Sequence, residues 1–593
     1  MKTIKRLTVL MILIPVLFWT GCLYNENAAT PQAAPETAFK IRLMHVNDVH
    51  SHLEEIPASL ILDGEKTYLA LGGMGRLAYK VKEVRAEYPQ TLLLCAGDAV
   101  QGTLYFPTYN GKAEADFMNH LGFDAMVLGN HEFDKGDAFV REFANELNFP
   151  VLAANMAMKT PGAGVFKPYS IINVGGEKVA VIGLITPETA TISNAGPNVT
   201  FFDEIDRAKK ITALLEEKGV NKIIVLSHLG YGRDMALAKA VPGIDVIVGG
   251  HTHTLLGDLS SLGMQPKGPY PTIVMNPEKE PVYIVQAWEW AKGLGILDVE
   301  FDREGEVVQC GGRFTLLAGD EFQRKNAFGK KAPVSSEIKQ AITAAIQNNP
   351  EIEAIPNDPE AMVLLAKYSK GVEAYRHQVV AKVGRDLLHV RIPGSAHPGT
   401  GEILKQGSMI APVIAQSMLY KCRIVGQNVQ LSIQNAGGVR TDVQAGPLTV
   451  ADVYNLLPFG NTVFVLDLSG EEIRRALEEA VDQALDPVKP NAGGFPYLAG
   501  GRFDVARDNA PGRRVFDLEY MNDAGKWSAI KDGETYKVAV NGFMAHGGDG
   551  YSILSKSKEE RLDTGFVDAE VFMEYAKTRR VLQPIPYACV EMK

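Results

Sequence analysis

Cysteine is scarce in this chain, with five in 593 residues. Their scattered spacing gives no metal motif and no dithiol redox motif. An excess of positive charge is also missing. Sixty Lys and Arg stand against 70 Asp and Glu, a formal net charge of −10. That balance argues against a nucleic acid polymer as partner, because such binding needs a dense basic surface. It leaves small phosphorylated ligands open, since a bound cation inverts the local field. No internal repeat and no low-complexity tract is present. Beyond the first twenty residues no apolar run is long enough to span a bilayer.

What is there begins with an export signal. Lys2, Lys5 and Arg6 precede an apolar stretch, 7–19, that is too short and wrongly flanked for a transmembrane helix. It ends in WTGC, 19–22, which resembles a bacterial lipoprotein cleavage site with Cys22 as the lipidated new N-terminus. Trp19 stands where such sites usually carry Leu, and an ordinary secretory signal is the alternative. Residues 1–22 therefore read as signal peptide and 23–39 as a polar tether. The expected location is outside the cytoplasm, on the periplasmic or outer cell surface, with the membrane touched only through the anchor. Of the remaining cysteines, Cys95 lies in an apolar run and reads as a buried free thiol. The others could pair after export, but spacing alone does not say how.

From about residue 40 the chain alternates short β-rich apolar runs with amphipathic helical stretches, which predicts an α/β layered domain over 40–318. Strands are expected at 41–47, 91–97, 125–130, 150–155, 178–186, 221–228, 245–250, 281–287 and 295–302, and helices at 74–88 and 204–219. Residues 319–372 read as a linker with one helix, 337–349, after which Pro350, Pro356 and Pro359 break the pattern. A second α/β domain is expected over 373–593. Its strands fall near 428–435, 461–470 and 536–544, and its helices near 408–419, 471–485 and 568–580.

The informative pattern is where the metal-ligating residue types fall. Asp48 and His50 follow the first strand, Asp98 the next, Asn130 and His131 another, His228 a fourth, and His251 and His253 a fifth. Strand ends converge on one rim of a sheet, where α/β folds place their sites. A mixed His, Asp and Asn set suits Zn²⁺, Mn²⁺, Fe²⁺ or Co²⁺ better than a soft thiolate site would. Asp98 has two oxygens and could bridge two ions. Such a pair, about 3.5–4 Å apart, can clamp both the attacking and the leaving oxygen of an in-line displacement.

The order and spelling DVH, GDAVQG, GNHEFD, SH and GGHTH resemble the calcineurin-like metallophosphoesterase superfamily. The whole chain is similar to its 5′-nucleotidase and UDP-sugar hydrolase branch. The resemblance implies a four-layer N-terminal domain, a β-sandwich flanked by helices, plus a C-terminal substrate-specificity domain. It implies that one metal takes Asp48, His50, Asp98 and His253, and the other Asp98, Asn130, His228 and His251. His131 would stabilise the transferring phosphoryl group or protonate the leaving oxygen, with Asp134 orienting its imidazole. His45 and His52 are left as structural or supporting. The block 286–302 resembles the family's closing segment of this domain.

In the second domain, IQNAGGVR (433–440), LPFGN (457–461) and NGFMAHGGDGY (541–551) resemble the family's nucleotide site. They offer Asn435 and Arg440 as substrate contacts, Phe459 and Phe543 as a sandwich for the base, and Asp549 for the ribose hydroxyls. One departure counts against a simple carry-over. The arginines usual before the segment matching 402–418 are missing, with Lys405 nearby and Arg391 further back. A lysine does not replace a guanidinium fork. The expected activity is extracytoplasmic, metal-dependent release of phosphate from nucleotides or other small phosphate esters. UDP-sugar or dinucleotide pyrophosphatase and 2′,3′-cyclic phosphodiesterase activities compete with it. More distant alternatives are a thiosulfohydrolase and a non-catalytic surface binding protein.

Overall fold

The computed structural model describes residues 37–159, 163–557 and 561–593. The export signal, Cys22 and all but the end of the tether lie outside the described residues. The compact unit begins at Thr37, and Phe39 already starts the first strand. No helix among the described residues is long and apolar enough to cross a membrane.

Two sheets face each other in the N-terminal half. The first has twelve strands, with Phe39–Val46, Thr91–Cys95, Ala125–Val127 and Val151–Leu152 as parallel neighbours at its centre. The second has six, with Glu177–Ile185, Ile223–His228, Val246–Gly249 and Pro281–Gln286 parallel. These strands are apolar on both faces because both faces are covered. Leu43, Leu92, Leu94 and Val127 of the first sheet meet Val181, Ile224, Leu226 and Val248 of the second in one core. The alternate residues Met44, Leu93, Cys95 and Met126 point the other way, onto helices that supply Leu77, Val81 and Phe117. Ile182, Val225 and Ile247 likewise meet Ala208, Leu215 and Leu237. Helix, sheet, sheet and helix make the four layers. Cys95 is fully buried and free, and Cys310, Cys422 and Cys589 are free as well.

The stretch expected as a linker is more structured than the sequence suggests. Just before it, Val307–Ala318 pairs along the Gly293–Phe301 strand. Gln323–Lys325, Lys331–Pro333 and Ile352–Ala354 join the same sheet. The Ser336–Gln347 helix lies where a helix was expected, capped by the Ser335 side chain. Pro359 does not break a helix but starts one, Pro359–Arg376, with the Asp358 side chain capping Ala361 N. The first helical position needs no N–H donor and suits the fixed φ of proline, so the residue that reads as a breaker is an initiator.

The C-terminal half is built on a five-stranded mixed sheet, in the order Pro496–Ala499, Leu431–Asn435, Thr535–Asn541, Thr462–Ser469 and Arg561–Val567. The helices Ala411–Ile424, Gly470–Ala484 and Asp568–Thr578 cover it, and a four-stranded sheet flanks it. Gly470–Ala484 opens on a capping box formed by Ser469 and Glu472.

Asp568 heads its helix almost fully buried, held by Asn461 and by Ala569 N. Burial raises its carboxyl from 3.8 to about 7, against those two hydrogen bonds. A raised acid pKa means that the folded state holds the proton longer than the unfolded one. Its contribution is therefore complete below about pH 4 and is lost as pH rises through about 7. Asp568→Asn should raise stability at pH 8 by about 1–3 kcal/mol and change little at pH 4. Denaturant melts at the two pH values check this.

Candidate active site

All seven sequence-predicted ligands meet at one rim, where the strands of both sheets end. Five of them, Asp48, His50, Asp98, His251 and His253, have φ between 47° and 75°. Residues with a β-carbon adopt that region at a cost, and five in one site marks it as a place where geometry overrides local preference. The backbone is packed just as tightly. A Cβ on Gly129 would lie 2.1 Å from Asp98 Oδ1, so only glycine fits beside that carboxylate.

The donor atoms fall into overlapping groups. Asp48, His50 and His253 form one, and Asp98, His228 and His251 another, each with donor atoms within 4.8 Å of one another. His50 also joins Asp98 and His131 in a third. Asp98 Oδ2 is 3.0 Å from His228 Nε2 and 3.8 Å from His50 Nε2, so its carboxylate stands between the two halves of the cluster. Asn130 Oδ1 lies 3.3 Å from His228 Nε2, and the Nε2 atoms of His50 and His253 face each other at 3.1 Å. The outward nitrogens are already engaged. His50 Nδ1 meets Gln101 O, His228 Nδ1 meets Ala96 O, and His253 Nδ1 meets Glu289. Acceptors on Nδ1 leave Nε2 as the lone-pair donor, which is the arrangement metal-ligating histidines take. A hard-to-borderline donor set of this kind fits divalent transition metals.

His131 sits beside the cluster rather than in its centre. Its backbone N donates to Asp98 Oδ1 at 2.9 Å, and its Nδ1 meets Asp134 Oδ2 at 2.6 Å. Asp134 is fixed in turn by Ser193 Oγ at 2.7 Å. Burial alone would lower the His131 pKa, but Asp134 and Asp98 outweigh it and raise the group to about 10. His45 and His52 belong to none of these groups. His45 Nε2 pairs with Tyr270 Oη at 2.7 Å, and His52 stacks on Trp290.

Several residues at the site were not singled out by sequence. Glu132, inside GNHEFD, is fully buried and accepts from Gly129 N at 2.6 Å, Ala99 N at 2.8 Å and Asp98 N at 3.1 Å. It closes the Asp98 turn. Gln101 Nε2 donates to Glu570 on the Asp568–Thr578 helix, tying the rim to the C-terminal half. The Arg561–Val567 strand lies directly over the rim: a Cβ on Gly565 would come within 1.8 Å of His131 Nε2. These contacts link residues more than 400 positions apart, and no spacing rule could have shown them.

The C-terminal candidates divide into two groups. Phe459 and Phe543 are half-exposed and line a cavity of about 880 Å³ together with His251, His253, Trp288 and Arg561. Asn435, Arg440 and Asp549 are not among the residues lining it. Asn435 is buried, donates to Asp549 Oδ2 at 2.8 Å and accepts from Asn541 Nδ2 at 2.8 Å. Arg440 lies with its guanidinium carbon 5.4 Å from the centre of the Phe459 ring, which connects the two groups.

Comparison with known proteins finds two family models in the chain. Residues 41–255 match the calcineurin-like phosphoesterase family, and residues 396–556 match the 5′-nucleotidase C-terminal domain. A probable 5′-nucleotidase of Treponema pallidum is 38% identical, over 91% of this chain and 92% of its own length. The NAD 5′-nucleotidase of Haemophilus influenzae is 34% identical, over 93% and 92%. The solved structure of Haemophilus influenzae NAD nucleotidase superposes with a TM-score of 0.84, covering 94% of this chain and all of that one. With two domains in the same order and a rim of His, Asp and Asn at the strand ends, the chain belongs to the 5′-nucleotidase family of metal-dependent phosphoester hydrolases.

Proposed function

We propose that this protein is an exported 5′-nucleotidase that releases phosphate from nucleotides with the help of two divalent cations. The observation that carries the reading is the placement of Asp98 between two His-containing groups at one rim. Asp48, His50, Asp98 and His253 would hold one cation, and Asp98, Asn130, His228 and His251 the other. When bound, such a pair supplies positive charge to the phosphoryl oxygens and lowers the pKa of the attacking water. The chain's own residues do the rest. His131, paired with Asp134, offers Nε2 to a phosphoryl oxygen or to the departing oxygen. Phe459 and Phe543 offer ring faces to a base, a mode of binding that tolerates different bases. Asp549, held by Asn435, would accept hydrogen bonds from ribose hydroxyls.

Phosphate release measured over a panel of nucleotides, before and after chelation and with added Mn²⁺, tests this. Full activity in exhaustively chelated protein would sink it. The clamp has its own signature. Base stacking is worth about 1–3 kcal/mol, so Phe459→Ala or Phe543→Ala should lower kcat/KM for nucleotides by roughly 5- to 150-fold. Hydrolysis of p-nitrophenyl phosphate should be unchanged. Equal losses on both substrates would make the rings packing residues.

A second reading, cleavage of dinucleotides or UDP-sugars at the pyrophosphate, is favoured by the cavity. Its size lies at the upper end of ordinary ligand sites, about 300–1,000 Å³. The same nucleotide panel, extended to NAD and UDP-glucose, separates the two.

The export signal and WTGC support a lipid-anchored protein outside the cytoplasm. Cys22→Ala should release the protein from membranes or block its processing. Mass spectrometry of the mature N-terminus reads this directly, and an unmodified N-terminus downstream of Cys22 would make the protein secreted.

A further inference from the structure

The loop after the Pro281–Gln286 strand has an unusual conformation. Trp288, Trp290 and Ala291 all have left-handed φ, at 58°, 58° and 50°. Such a run persists only where its surroundings fix it. Here Asn47 donates from Nδ2 to Trp288 O at 2.6 Å and accepts from Ala287 N at 2.6 Å. Trp290 N donates to Asp48 O at 2.7 Å. The loop is stitched to the segment that carries Asp48 and His50.

Its side chains form a column. Lys292 is buried, with Nζ 4.0 Å from the centre of a Trp288 ring and 4.1 Å from that of Trp290. His52 stacks on Trp290 at 4.3 Å, nearly parallel. Lys292 Nζ also donates to Glu289 Oε1 at 2.5 Å, while Glu289 Oε2 lies 2.9 Å from His253 Nδ1. A carboxylate only accepts, so His253 Nδ1 is the donor. Its Nε2 is then the nitrogen turned to Asp48 Oδ1, at 3.3 Å.

From this geometry we infer that Lys292 is a positioning residue, which fixes the Glu289 side chain between itself and His253 and so sets the aim of the His253 ring. The inference rests on the two-cation reading above. An apolar side chain of similar length would fill the space between the indoles, so packing alone does not call for an ammonium. The pairing with Glu289 does.

Mn²⁺ titration of the metal-free full chain, in competition with a chromophoric chelator, tests the role without turnover. Wild type should take up two ions. Lys292→Met and Glu289→Gln should each weaken one of them about 10- to 100-fold and leave the other unchanged. Lys292→Arg, which keeps the charge, should restore most of the loss, and the melting midpoint of the metal-free variants should stay near wild type. Two ions bound with wild-type affinity by both Lys292→Met and Glu289→Gln would overturn the inference and leave the two-cation reading standing. Weakening of both ions with a lowered melting midpoint would show the column to be packing. Fewer than two ions on wild type would overturn the underlying reading itself.

Discussion

Asp98→Asn should reduce turnover of every substrate by at least about a thousandfold, some 4 kcal/mol in the barrier. The size follows from position. Asp98 groups with His228 and His251 on one side and with His50 on the other, is almost fully buried, and also anchors His131 N. An amide keeps the shape but gives up the negative charge and one of the two anionic oxygens. Both cations should therefore weaken together, and added Mn²⁺ should recover only part of the loss. Two measurements check it: bound metal after dialysis against buffered Mn²⁺, and phosphate release. A variant that keeps both its metals and its turnover would remove Asp98 from the bridging position.

His131→Ala should behave differently. The side chain touches Asp134 and faces the rim, so its loss should cut kcat by about 10²–10⁴-fold while metal content stays near wild type. Asp134→Asn should act in the same direction and more mildly, because Ser193 still holds the replaced side chain and the imidazole keeps a neutral partner. Normal kcat with lost metal would assign His131 a ligand's role.

The parts of the fold that could be read from sequence are those fixed by short-range rules. Doubly buried strands such as Thr91–Cys95 and Ile223–His228 are continuous apolar runs. Amphipathic helices such as Glu204–Glu217 carry a 3.6-residue period and a capping aspartate, Asp203. The rim was legible because each candidate ligand follows such a run. Three kinds of feature were not. The Ile56–Leu62 and Glu65–Leu71 hairpin alternates inward and outward positions, but apolar residues such as Ile61 and Ala70 occupy outward ones and hide the period. Pro359 was ambiguous because proline both stops and starts helices. Glu132 and Glu289 were spelled out inside recognisable motifs, but a carboxylate that serves a backbone turn or a ligand's far nitrogen looks, in sequence, like any surface acid. Gly565 carried no signal at all.

That glycine limits what the strand over the rim can carry. Its Cα rests where a side-chain atom would collide with His131 Nε2, the nitrogen assigned above to the phosphoryl group. Any side chain at that position would have to displace the imidazole, so the close approach of the C-terminal strand to His131 depends on a residue with no Cβ.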